Sequence, residues 1–169
     1  MTESFERLHL HQEQEAPGVI SEFQYEYRFL SNMWILDTLI DTSEGPVETT
    51  EHAYQMYKFV DPVVRQEIAT AINGIRAKKI ADRLQNSGAI VVESWPEKKE
   101  ALMLELNRQK YRNNPGLRQR LLDTGDSKLE EGNRWGDTFW GISPPNSGIG
   151  ENKLGKILEQ IRDELRAES

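Results

Sequence analysis

From residue 49 onward the apolar positions recur at helical spacing, whereas before it aromatic and branched residues bunch between turn signals. The contrast predicts a mainly α fold with a small N-terminal β element. Short strands are expected at Ile20–Phe29 and Trp34–Ile40, with Asp41–Pro46 (DTSEGP) supplying a turn. Helices are expected at Thr50 to about Val60, stopped by Asp61-Pro62, then at Val63–Ile72 and Ile75–Gln85. Ser94-Trp95-Pro96-Glu97 has the form of a capping box opening a long helix to about Tyr111. A short helix follows at Pro115–Leu122. The last runs from about Asn152 to Arg166, with Leu154, Ile157, Leu158, Ile161 and Leu165 on one face. Residues 1–18 are polar and read as a loose leader before a single domain over residues 19–169.

At about 100° per residue, Ala53, Met56, Tyr57 and Val60 gather on one arc of the first helix, which is the expected core face. Glu51, Tyr54, Gln55 and Lys58 gather on the opposite arc. A carboxylate, a phenol, an amide and an ammonium together are the groups that grip a polar ligand and act on it. A glutamate in a first turn is also an ordinary partner of the helix dipole, worth about 0.3–1 kcal/mol. The dipole favours the ionised form of Glu51 unless burial outweighs it.

Composition narrows the classes. The 169 residues carry no cysteine, which excludes disulfides, thiol catalysis and cysteine-bound metals. The formal net charge of −7 argues against broad binding to nucleic acid. No stretch approaches the ~18 apolar residues of a membrane span, and the leader lacks a secretory pattern, so a cytoplasmic location without membrane contact is expected. His9 and His11 alternate but have no third ligand in view, so no metal site is expected.

Two loops carry further chemistry. WGDTFWG at 135–141 offers Trp140 beside Asp137, and aromatic walls in loops stack on flat ligands. SGIGENKLG at 147–155 leads into the last helix, whose first N–H groups could hold a phosphate. It lacks the strand that a dinucleotide fingerprint requires, and Gly155 reads as an allowance for close packing.

These segments resemble the YbiA-like family, also called NADAR. The matching residues are Phe29-Leu30-Ser31-Asn32, Thr50-Glu51-His52-Ala53-Tyr54-Gln55 with Lys58-Phe59, Trp95, Leu121–Gly125, Asp137–Gly141 and Gly150–Gly155, in family order over about residues 23–166. The chain departs from the family pattern at Val47-Glu48-Thr49 and at Ile142–Asn146. The resemblance implies an N-glycosidase that hydrolyses the C–N bond between a ribose and a base or amine, and it needs no cofactor. Family substrates include riboflavin-pathway intermediates, and some members remove ADP-ribose from guanine in nucleic acid. A non-catalytic sensor of ADP-ribose or NAD-like nucleotides is the reading from another class.

By motif, the resemblance places the catalytic carboxylates at Glu51 and Asp137 and the stacking walls at Trp95 and Trp140. Arg28, Phe29, Ser31, Asn32, His52, Gln55, Lys58 and Asn152 would line or support the pocket. The implied partner is a small ribosyl or nucleotide substrate. Nucleic acid enters only if it carries the ribosylated base.

Overall fold

The computed structural model describes residues 18–169. His9, His11 and nearly all of the expected leader lie outside the described residues. Among the described residues there are six α-helices, which make up nearly half of them: α1 Thr50–Tyr57, α2 Pro62–Ala69, α3 Gly74–Asn86, α4 Trp95–Asn113, α5 Pro115–Asp123 and α6 Lys153–Ala167. A short 3-10 helix spans Tyr25–Leu30. Two strands of two residues, β1 Val19–Ile20 and β2 Lys128–Leu129, pair in parallel, with Val19 opposite Lys128 and Ile20 opposite Leu129.

The helix punctuation works through side-chain caps. Thr49, Asp61 and Asn73 each accept a backbone N–H of the helix that follows, which satisfies donors that have no partner within the helix. The expected capping box at Ser94 does not form. Ser94 sits at φ 58° with no side-chain cap, and its carbonyl instead accepts the N–H groups of Glu97 and Lys98.

The strand expected over Ile20–Phe29 is strand only at its first residue. From Tyr25 the backbone winds into the 3-10 helix, which buries Phe29 and Leu30 against the helices. Its carbonyl end has an unusual partner: the buried Lys110 ammonium donates to Phe29 O at 2.6 Å and Ser31 O at 3.0 Å. Trp34–Ile40 is likewise loop, held by a bridge between Ile40 and Val47, by Leu36 N–H donating to Glu48 O, and by Asn114, whose Oδ1 accepts Thr38 N–H.

One apolar core runs from Ile20 through Phe59, Met103 and Tyr111 to Leu165. α6 contributes Leu154, Ile157, Leu158, Ile161 and Leu165, the face expected from its spacing. Burying each such side chain contributes about 1.5–3 kcal/mol. α1 packs on α2, α3 and α4, and is buried along its whole length from Thr50 to Met56. A Cβ on Gly74 would stand 2.8 Å from Met33 Sδ and 3.3 Å from Glu51 Cβ, so glycine lets α3 approach α1 beside Glu51. Among the described residues no helix is long and apolar enough to cross a membrane.

Candidate functional site

The polar arc of α1 is buried rather than solvated. Glu51 is 7% exposed, Tyr54 7% and Gln55 6%. A helix covered on both faces cannot hide one of them in water, so its polar arc has to meet polar partners or a ligand. Gln55 Nε2 donates to Glu51 Oε1 at 2.7 Å, while Gln55 Oε1 has no partner among the described residues. Burial pushes the Glu51 carboxyl above its ordinary range, and the Gln55 amide and the Lys78 charge pull it partly back. Burial therefore outweighs the dipole that favoured ionisation.

The aromatic residues converge on Tyr54. Its ring centroid lies 5.3 Å from that of Trp95 at the start of α4 and 5.7 Å from that of Trp140, edge to face. Burial, then the Glu51 charge, pushes the Tyr54 phenol up, so it stays protonated. Lys99 Nζ sits 3.8 Å from the Phe139 ring centroid. Lys58, at the end of α1, is half-buried, and burial pulls its ammonium down. Its other charged neighbours are Asp82, Lys78, Lys99 and Glu51. Ammonium groups from α1, α3 and α4 thus gather beside the carboxylate in a chain whose overall charge is negative.

Asp137 organises the tryptophan loop. Its Oδ1 accepts the backbone N–H groups of Phe139 at 3.1 Å and Trp140 at 2.9 Å. Asn133 clasps it from the other side: Oδ1 accepts Asp137 N–H and Nδ2 donates to Asp137 O. The Asp137 charge reaches Glu51, Tyr54 and Glu131, which places it at the same site. The N–H groups leading into α6 are already taken by this loop. Glu151 donates to Thr138 O, Lys153 to Phe139 O and Leu154 to Trp140 O. That helix start is thus closed to a phosphate. Gly155 does allow close packing, since a Cβ there would collide with Leu129 O.

Several residues expected in the pocket belong to its scaffold. His52 is 1% exposed, with Nε2 donating to Ala71 O at 2.9 Å and Nδ1 against Thr49 Oγ1 at 2.7 Å, so it pins α1 to the α2–α3 connection. A carbonyl only accepts, so the proton sits on Nε2 and the ring faces no ligand. Asn32 O accepts Glu51 N–H at 3.1 Å, and its side chain meets Met103 and Asn107. Ser31 Oγ accepts Met33 N–H, and Phe29 lies in the core under Arg120. Asn152 bonds Leu129 O and Glu131 N–H. Arg28 is exposed on the 3-10 helix.

Glu131 was missed. It lies six residues before Asp137, is half-buried, and burial together with the Asp137 charge pushes its carboxyl up to about 7. Nothing in the sequence separates it from its neighbour Glu130, which pairs with Lys128 at 2.9 Å. Lys99 was equally hard to single out among ordinary helix-surface lysines, whereas Lys78 belongs to the basic set Arg76, Lys78, Lys79 and Arg83 that the sequence offers for a phosphate. Among the described residues, no three His, Asp or Glu side chains gather closely enough to hold a metal ion.

Comparison with known proteins fits this geometry. The NADAR domain family matches residues 20–166. N-glycosidase YbiA of Shigella flexneri serotype 5b is 30% identical over 143 residues, covering 85% of this chain and 84% of that protein. Riboflavin biosynthesis protein VVA0006 of Vibrio vulnificus is 29% identical over 152 residues, 90% of this chain but only 39% of that protein. The NMR structure of the Escherichia coli protein YbiA superposes with a TM-score of 0.75 at 26% identity, covering 94% of this chain and 90% of that one.

Proposed function

Because the chain belongs to the NADAR family, we propose that it is a hydrolase of N-glycosyl bonds, acting on a ribosylated, phosphorylated base or amine such as a riboflavin-pathway intermediate. The observation that carries this reading is Glu51: a buried carboxyl beside a Tyr54–Trp95–Trp140 cluster, held by the Gln55 amide, whose own Oε1 has no partner among the described residues. The names of the relatives, N-glycosidase YbiA and riboflavin biosynthesis protein, support the class of reaction.

Breaking a ribose C–N bond builds positive charge on the sugar carbon. Glu51 facing that carbon stabilises the charge and takes the proton of the attacking water. A carboxyl pushed up by burial is a stronger base than one in water, closer to the working pH. Asp137, fixed by two backbone N–H groups, presents its other oxygen to ribose hydroxyls. The tryptophans stack on the leaving base and exclude water, which strengthens these charge interactions. Lys58, Lys78 and Lys99 neutralise a sugar phosphate. The cytoplasm, where such substrates occur, is the proposed location.

The test is incubation with a panel of N-ribosyl compounds, with and without 5′-phosphate, and with an ADP-ribosylated guanine oligonucleotide, watching for free base by chromatography. Release from phosphorylated small molecules is expected. Release only from the oligonucleotide would move the substrate to nucleic acid, and ligand-induced thermal stabilisation without turnover would make the protein a sensor.

A further inference from the structure

We propose that Glu131 is a second catalytic carboxyl of this site, the acid that gives a proton to the leaving nitrogen. The inference rests on the N-glycosidase reading and adds a residue to it. Splitting the bond between carbon and a neutral base or amine leaves an electron pair on nitrogen, and an unprotonated amide or amine anion is a poor leaving group. The site therefore needs an acid as well as a base, and Glu51 cannot serve as both in one step.

The geometry favours Glu131 for that task. Its backbone is fixed at both ends: N–H donates to Asn152 Oδ1 at 3.0 Å, and C=O accepts Ile142 N–H at 3.0 Å. Its side chain lies across Gly141, next to Trp140, so closely that a Cβ on Gly141 would collide with both the Glu131 carbonyl and the carboxyl Oε2. The carboxyl thus comes from the segment after β2, packed on Gly141 of the tryptophan loop, while Glu51 comes from α1. Asp137 is already committed, with Oδ1 holding two backbone N–H groups. Among the described residues the Glu131 carboxyl has only a long 3.3 Å contact from Asn133 Nδ2. The charges acting on it are the carboxyls of Asp137 and Glu51, both of which favour its protonated form. Burial, ahead of these charges, pushes it up to about 7, which suits an acid at neutral pH. An independent mark of a ligand lies beside Glu51: the Gln55 Oε1 acceptor, in a residue 6% exposed, has no partner among the described residues.

The step balances. The C–N bond breaks with its electron pair moving to nitrogen, which takes the Glu131 proton. Water oxygen bonds to the sugar carbon, and its proton passes to Glu51. Free base and ribose phosphate leave, and solvent returns a proton from Glu51 to Glu131.

The test uses the full chain and an N-ribosylamino-pyrimidine 5′-phosphate. In wild type, kcat/KM should fall on the alkaline side, above about 7, as Glu131 loses its proton. Glu131→Gln should lower turnover about a hundredfold or more and remove that alkaline limb, with substrate binding kept. Glu131→Asp, which keeps a proton at shorter reach, should restore part of the rate and the limb, and circular dichroism confirms the fold of each. Glu131→Gln with more than half the wild-type rate, or with an unchanged alkaline limb, overturns the assignment while leaving the N-glycosidase reading intact. Wild type that releases no base from any compound in the panel overturns both.

Discussion

Replacing Lys110 by methionine removes a buried ammonium while keeping the stem that fills the core. Lys110 is 1% exposed, and burial pushes its ammonium down to about 7 from an ordinary 10.5. Below pH 7 native and unfolded chains both hold the proton, so this group adds no pH dependence. Between 7 and 10.5 the unfolded chain holds a proton that the native chain lacks, so wild-type stability rises with pH by up to about 1.4 kcal/mol per unit. From pH 7 to 9 the rise amounts to about 2 kcal/mol. Methionine cannot titrate, and it also removes the Lys110 donor from Phe29 O, while Ser31 O keeps Trp34 N–H, a constant cost of about 1–3 kcal/mol. Urea unfolding of both proteins at pH 7, 8 and 9 measures the effect. Subtracting one from the other at each pH cancels every other titrating group. Wild type should gain about 2 kcal/mol on Lys110→Met across the interval. A difference that stays flat within about 0.5 kcal/mol refutes the reasoning, because it places the native ammonium at its ordinary value.

Further perturbations probe the loop and the helix ends. Gly141→Ala forces a Cβ into the Glu131 backbone and carboxyl, so thermal denaturation should show a loss of about 1–3 kcal/mol, roughly 2–10 °C. Gly116→Ala, where a Cβ meets nothing within 4 Å, should be neutral or slightly stabilising, and equal losses at both sites would refute the steric account. Ser94→Gly should hold or raise stability by about 0.5 kcal/mol, since Ser94 pays for a left-handed conformation and caps nothing. A loss of about 1 kcal/mol would restore the capping box. Trp140→Ala should weaken binding of the ribosyl phosphate in a thermal-shift titration, and an unchanged affinity would remove Trp140 from the stacking wall.

Local patterns made the helices legible, because each amphipathic face and each Thr, Asp or Asn cap is written within a few neighbouring residues. The helical wheel of α1 separated the Glu51 arc from the Ala53 arc but missed that the whole helix is buried. It also placed Val60 in the core, whereas that residue lies beyond the helix and is 51% exposed. The segment 20–29 misled because its β-branched and aromatic residues suit a strand, while burial of Phe29 and Leu30 and the Lys110 ammonium select a tight helix. That ammonium comes from 81 residues away. Motif matching left open whether His52 and Asn152 line or support the pocket, because a shared motif preserves scaffold hydrogen bonds as readily as chemistry. Glu131 was invisible for the same reason in reverse: its neighbours Gly141 and Asn152 are distant in sequence, and only the fold brings them together.

The most direct test of the central claim is base release by Glu51→Gln. The substitution keeps the shape of the side chain that meets Gln55 and removes the carboxylate proposed to face the sugar carbon. The variant should fold, with a thermal midpoint close to wild type, bind the ribosyl phosphate and release no detectable base. A folded Glu51→Gln that turns substrate over at the wild-type rate would contradict the account.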